Sequence, residues 1–280
     1  TPESVKPLLE GLHFDAVVDW IAFTPEHIRT DLELFRDKTD QFVFISSASV
    51  YHKPPTDYRI TEATPAYNPF WGYSQNKIAC EEQLWDAYRS RGFPMTFVRP
   101  SHTYSDGWFP TSFGSADFTV PARILDGRPI VVHGDGQSLW TITHSDDFAR
   151  GFLGLMGNPA AIGETFHITS DESLTWDQIH RTIGRALGRA PSIVHVSSEA
   201  IAREDPEFAA GLLGDKQYSV VFDNTKLKRY VPGYQATIPF FEGMERSARL
   251  IHDHPELRSI DRERDALIDV LVSTYAGPSD

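Results

Sequence analysis

The sequence predicts an α/β protein built on a doubly wound parallel sheet, and three observations point there. Strand-like apolar runs alternate with helix-like runs over residues 14–169, the order that places helices on the faces of parallel strands. Hydroxyl residues collect in Ser46-Ser-Ala-Ser49 at the carboxyl end of one such run, where ligands gather in sheets of this kind. At 280 residues, with 40% hydrophobic and 12% aromatic content, the chain can bury a sizeable core, and no repeat or low-complexity tract interrupts it.

Taken in order, strands are expected at 14–22, 42–48, 95–101, 129–133 and 165–169, and helices at 25–38, 73–91, 117–127 and 146–156. Ahead of them, residues 1–9 read as a short helix. From residue 171 the pattern becomes a helix (174–187), a strand (192–196), a helix (198–213) and a helical tail after Pro239. Within that tail, Asp261-Arg-Glu-Arg-Asp-Ala-Leu-Ile-Asp-Val-Leu-Val reads as an amphipathic helix packed on the body of the protein. Gly151, Gly154 and Gly157 form Gly-x-x-Gly-x-x-Gly, but a phosphate-binding turn needs a strand directly before its first glycine. These glycines follow Asp146-Asp147 inside a helical pattern, so close helix packing is the expected use.

Composition excludes several function classes. The net charge of −13 repels polyanions and the basic residues are scattered, so nucleic-acid binding is not expected. No apolar stretch is long enough for a membrane span, and no leader pattern opens the chain. The single cysteine, Cys80, reads as a buried thiol and points to a reducing, cytoplasmic setting. None of the 11 histidines forms a ligand set with metal-site spacing, so no metal is expected, and His252-Asp-His254 reads as solvated surface.

The most informative residues are Tyr73 and Lys77, four apart in Tyr73-Ser-Gln-Asn-Lys77, with Ser47 26 residues before the tyrosine. On a helix that offset puts phenol and ammonium on one face, one turn apart. A free tyrosine titrates near pH 10, and a neighbouring cation lowers that value. Lys77 is therefore expected to lower the pKa of Tyr73, while Ser47 holds the substrate oxygen that Tyr73 protonates or deprotonates. Ser46 and Ser49 are the alternatives to Ser47. In a strand Ser47 and Ser49 would share one face and Ser46 the other, and hydrogen bonding to the local backbone is the expected use of Ser46 and Ser49.

These residues, in this order, resemble the extended short-chain dehydrogenase/reductase family, the NAD-dependent epimerases and dehydratases. The resemblance continues through Phe14-Asp-Ala-Val-Val-Asp-Trp-Ile-Ala22, Arg99-Pro100 with Tyr104, Gly134-Asp-Gly136 with Ser145-Asp-Asp147, Glu164-Thr-Phe-His-Ile-Thr169 and Asp223-Asn-Thr-Lys-Leu227. It implies a Rossmann-like NAD(P)-binding domain over 1–107 with 136–170, and a smaller α+β substrate-binding lobe over 108–135 with 171–280. It also implies NAD or NADP as cofactor, with contacts at Ile21, Ala22, Phe23, Ser46, Tyr73, Lys77, Pro100, Ser101 and His102. The catalytic set would be Ser47, Tyr73 and Lys77, the activity that of an epimerase, dehydratase or reductase on a small molecule, and the assembly a homodimer.

The family's opening strand, Gly-x-x-Gly-x-x-Gly turn and following helix have no counterpart before Phe14. About 50–60 residues, two strand-helix units, would be missing. An amino-terminally incomplete enzyme is expected in preference to a natural relic, and a chain with that sheet edge open is expected to be a poor soluble monomer. The position where nucleotide-sugar enzymes of the family carry a phosphate-binding arginine holds Trp140, which cannot make that bidentate contact. Ser49, Trp71, Tyr104 and Trp140 are the expected substrate residues, with core packing the alternative use of each aromatic ring. Phe44-Ile-Ser-Ser-Ala-Ser-Val-Tyr-His-Lys53 and Gly211-Leu-Leu-Gly-Asp-Lys216 are similar to a branch that includes plastid stem-loop RNA-binding proteins, which generally lack the Tyr/Lys pair. The pair and the acidic charge favour an enzyme; a non-catalytic binding or regulatory protein is the other reading.

Overall fold

The computed structural model of the protein describes residues 2–114 and 116–276. Its first part runs α1 (Pro2–Val5), β1 (Val17–Asp19), α2 (Pro25–Leu34), β2 (Phe42–Ile45), β3 (Arg59–Ile60), α3 (Gly72–Arg91), β4 (Met95–Pro100) and β5 (His102–Tyr104). Next come α4 (Thr119–Asp126), β6 (Ile130–His133), β7 (Leu139–Trp140), β8 (Ile142–His144), α5 (Ser145–Leu155), β9 (Thr165–Ile168), β10 (Leu174–Thr175) and α6 (Trp176–Ala186). The chain ends with β11 (Ile193–Val196), α7 (Ser198–Glu204), α8 (Pro206–Gly211), β12 (Val221–Phe222), α9 (Thr225–Tyr230), α10 (Phe240–Asp253) and α11 (Arg262–Tyr275). Thr1 and residues 277–280 of the expected opening helix and lobe lie outside the described residues.

Four strands form the central sheet in the order β1-β2-β4-β9, every neighbouring pair parallel. Strand alternation explains why both faces are covered. Phe42 and Phe44 of β2 join Met95 and Phe97 of β4 on one face, against Ile28 and Leu32 of α2 and Cys80, Leu84 and Ala87 of α3. Val43, Ile45 and Val98 take the other face, against Phe148, Phe152 and Leu155 of α5 and Leu227 of α9. A larger apolar cluster around Trp176, Phe109, Phe113, Ile130 and Val132 holds the second half of the chain together. Ala48, Tyr51 and Ile60 pack into that cluster, and Tyr51 also meets the sheet at His167 of β9 and Arg99 of β4.

Several elements are shorter than their sequence pattern suggests, each for a local reason. β1 ends at Asp19 because that side chain accepts hydrogen bonds from the Ile21 and Ala22 amides and turns the chain; Phe14 forms a separate bridge to Thr39. β2 ends at Ile45, before the serines, which enter a 3-10 turn at Ala48–Val50. The helix expected over 198–213 is interrupted at Asp205-Pro206. There Asp205 accepts from the Phe208 amide and starts a new helix with proline at its first position. That helix runs into a π turn, Leu212–Lys216. The short pairs β3–β12, β5–β8 and β7–β10 carry too few residues to show a period, and sequence reading missed them.

Gly151 and Gly154 serve helix packing. A Cβ on Gly151 would sit 2.8 Å from Ile168 Cγ2, and one on Gly154 would overlap Val231. Gly157 lies beyond α5, in the left-handed region at φ 73°. Cys80 is fully buried, and burial pushes its thiol up to about 12. Among the described residues, no helix is long and apolar enough to cross a membrane, and no group of three His, Cys, Asp or Glu is placed to hold a metal ion.

Phe97, with no exposed surface, lies at the centre of the cluster that fastens α3 to the sheet. Phe97→Ala is expected to cost about 3–5 kcal/mol, read as a lowered denaturation midpoint; a loss below ~1 kcal/mol would show that this face is not close-packed.

Candidate active site

The site is assembled where β2 ends and α3 begins. Ser47 caps the 3-10 turn, its Oγ accepting from the Ser49 amide at 3.2 Å. Ser47 Oγ is 2.9 Å from Ser49 Oγ, and Ser74 in the first turn of α3 donates to Ser49 Oγ at 2.7 Å. Three hydroxyls thus tie the strand end to the helix entry. Ser49 bonds to side chains as well as having its amide capped, and Ser46 Oγ is buried without a partner among the described residues. Local backbone bonding, the expected use of both hydroxyls, is not what the structure shows.

α3 places Tyr73 and Lys77 on one face, as the four-residue offset requires. Lys77 is buried and its Nζ donates to the carbonyls of Ala22 at 2.7 Å and Ile45 at 2.8 Å. It also lies 4.8 Å from the ring centres of both Phe23 and Phe44, and 5.9 Å from that of Tyr73. Burial lowers its pKa to about 8. The expected depression of the Tyr73 pKa is not found. Burial raises it, with a hydrogen bond from Ser47 opposing and the Asp215 charge adding. The ammonium is directed to two carbonyls, and desolvation of the phenol dominates.

Tyr73 and Pro100 are shared by two cavities. The smaller, about 250 Å³, is lined by Ser47, Ser49, Trp71, Ser101, His102, Trp140, Asp215, Lys216 and Phe222. Trp71 stacks beside Tyr73 with ring centres 4.9 Å apart. Burial, then the Lys216 charge, brings His102 down to about 3, so its imidazole is neutral. The larger cavity, about 430 Å³, is lined by Trp20, Phe23, Ile45, Ser46, Lys77, Thr103, Ser145, Phe148 and Phe152. Two hydroxyls on its wall, Ser46 Oγ and Thr103 Oγ1, are buried without hydrogen-bond partners among the described residues. Such groups are uncommon in a folded protein.

The structure therefore brings Ser47, Ser49, Trp71, Tyr73, Pro100, Ser101, His102 and Trp140 around one cavity, and Phe23, Ser46, Tyr73, Lys77 and Pro100 around the other. Ser101 and His102 fall on the Ser47 side and not beside Lys77, because β4 ends at Pro100 and the chain continues past the sheet. Ala22 contributes its carbonyl to Lys77. Ile21 is 76% exposed and faces an outer groove beside β1. Tyr104 is buried against His144, Phe240 and Gly243, away from both cavities. Sequence reading missed Asp215, Lys216, Thr103 and the phenylalanines of α5 as wall residues. The glycine pair in Gly211-x-x-Gly214 was the available signal for the first two.

Residues 26–169 match the NAD dependent epimerase/dehydratase family. The chain is 29% identical over 236 residues to the 2'-dehydrokanamycin reductase of Streptomyces kanamyceticus, covering 84% of this chain and 65% of that protein. It is 30% identical over 192 residues to the chloroplast stem-loop binding protein of 41 kDa b of Arabidopsis thaliana, covering 68% and 48%. The chain thus spans about half to two thirds of the length of these curated relatives. A dTDP-glucose 4,6-dehydratase from Bacillus anthracis, solved in complex with NAD, superposes with a TM-score of 0.72 at 17% identity, covering 92% of this chain and 78% of that one. That likeness shows the Rossmann-like fold.

Folding moves the Lys77 pKa from 10.5 to about 8. Between those values the unfolded chain binds the extra proton, so this group adds stability as pH rises through the window, by up to ~3 kcal/mol. Unfolding free energies of the wild type should rise relative to those of Lys77→Met between pH 8 and 10.5; parallel curves would contradict the assignment.

Proposed function

The chain belongs to the NAD dependent epimerase/dehydratase family, and on that premise we propose that it is an NAD(P)-dependent enzyme acting on a hydroxyl or carbonyl carbon of a small, sugar-like molecule. The observation that carries the reading is the position of Tyr73, whose phenol stands between a polar cavity and an aromatic one. A group that exchanges a proton with substrate while hydride passes on its other side needs that position.

The larger cavity fits a nicotinamide and its ribose. Trp20, Phe23, Phe148 and Phe152 offer flat apolar walls, Ser46 and Thr103 offer unpartnered hydroxyls, and Lys77 offers an ammonium for ribose oxygens. NAD(P), when bound, supplies or accepts the hydride. On the substrate side, Ser47 and Tyr73 hold the reacting oxygen between two hydroxyl groups. A phenol kept neutral by burial is set to donate its proton, so the resting site favours the reductive direction. Ser49 and Ser74 fix Ser47 and the helix entry through their hydroxyl chain. The neutral His102 imidazole gives the wall a further hydrogen-bonding group without adding charge. Trp140 at the arginine position and the 250 Å³ volume favour a substrate without a nucleotide; the similarity to a reductase of 2'-dehydrokanamycin supports the same choice. We also propose that two copies pair through α3, as the family resemblance implies.

Tyr73→Phe is expected to lower turnover by about 10²–10⁴-fold while leaving the NAD(P)H affinity measured by fluorescence titration unchanged. An unaltered rate would remove Tyr73 from the mechanism. Absence of both turnover and nicotinamide affinity in the wild type would move the assignment to a non-catalytic binding protein. Sedimentation as a monomer would contradict the pairing.

A further inference from the structure

Lys216 ends the π turn Leu212–Lys216, an element that recurs at functional sites. Its backbone is fixed with unusual redundancy: its carbonyl accepts from His133 Nε2 at 3.0 Å, Ser138 Oγ at 3.1 Å and Trp176 Nε1 at 3.1 Å. The turn is also held against the reacting residues. Asn68 Nδ2 donates to the Gly214 carbonyl at 2.7 Å and to that of Ser49 at 2.9 Å. A Cβ on Gly214 would lie 2.7 Å from Trp71 Cβ, so only glycine allows this approach.

The charges on this wall are unequal. Asp215 is paired with the buried ammonium of Lys53 at 3.2 Å. The Lys216 ammonium forms no ion pair or side-chain hydrogen bond with the described residues, although the residue is half-buried and lines the smaller cavity. Burial lowers its pKa, with Asp215 opposing. His102 beside it is neutral. The cavity therefore presents a lysine amine with no ion-pair partner of its own among the described residues, and an anionic oxygen placed beside it would favour the protonated form and replace its lost solvation. The other features limit the ligand's size and shape. Trp71 and Trp140 supply flat faces for a ring, the buried Trp140 Nε1–H has no acceptor among the described residues, and about 250 Å³ falls below the range typical of drug-sized ligands. A diphosphate calls for more cationic donors than one lysine.

We infer that Lys216 makes this cavity selective for a small polyol carrying one carboxylate, a sugar acid, over a neutral or nucleotide-linked sugar. The inference rests on the proposed function in placing the substrate in the smaller cavity, and it names the class.

The test is calorimetric titration of the full chain with glucuronate, with glucuronamide as its uncharged counterpart, and with UDP-glucose. Glucuronate is expected to bind about 10-fold or more tightly than glucuronamide. The preference should vanish in Lys216→Met and persist in Lys216→Arg, which keeps the charge and reports on folding. Equal affinities in the wild type, a preference that survives Lys216→Met, or tighter binding of UDP-glucose than of glucuronate would each overturn it. Tyr73→Phe should retain the preference. Loss of the redox assignment, seen as wild-type turnover in Tyr73→Phe, is thus distinguishable from loss of the carboxylate assignment, seen in the titrations alone.

Discussion

The site depends on one buried ammonium. Lys77 can leave water only if its protons find acceptors, and the two it finds are the carbonyls of Ala22 and Ile45, just after β1 and at the end of β2. Those bonds set how α3 lies across the strand ends. One turn earlier, the same helix must then present Tyr73 above the sheet, next to the serines with which β2 gives way to a turn. The aromatic rings of Phe23 and Phe44 around the ammonium supply further favourable contact with the charge. A residue expected to act on the tyrosine electrically acts first as a structural tie.

That tie explains why Tyr73 stands where the two cavities meet. The aromatic one is built from the strand ends and α5, elements of the central sheet. The polar one closes only with Trp140, Phe222 and the π turn from the second half of the chain. Tyr73 sits on the seam because the helix that carries it is pinned to the first set while Trp71, two residues earlier, packs against Gly211 and Gly214 of the second.

The parts legible in the sequence were those governed by a period or a short offset. Alternating apolar runs placed the four parallel strands and their helices, and the Tyr73–Lys77 spacing placed both groups on one face. Ser47 was found through its strand, although it caps a turn beyond the strand's end. Where side chains outrank periodicity, the reading failed. Asp19 ended β1 early through its own hydrogen bonds, Pro206 divided a helix, and the π turn had no repeating pattern to betray it. Tyr104 and Ile21 were placed by analogy of position; packing sends one inward against Phe240 and leaves the other on an outer groove. The direction of the Tyr73 pKa shift could not be read from spacing, because it depends on how deeply the phenol is buried.

The three donors on the Lys216 carbonyl come from β6, the turn after it and α6. One side of the polar cavity is therefore fastened to the second half of the chain by three bonds, and to the other side by the Asn68 amide, the Trp71 contact and the buried Lys53–Asp215 ion pair. The π turn is thus a jaw carried by its own half and latched to the other by both Asn68 and the Lys53–Asp215 pair, so any widening of the cleft has to break the two together.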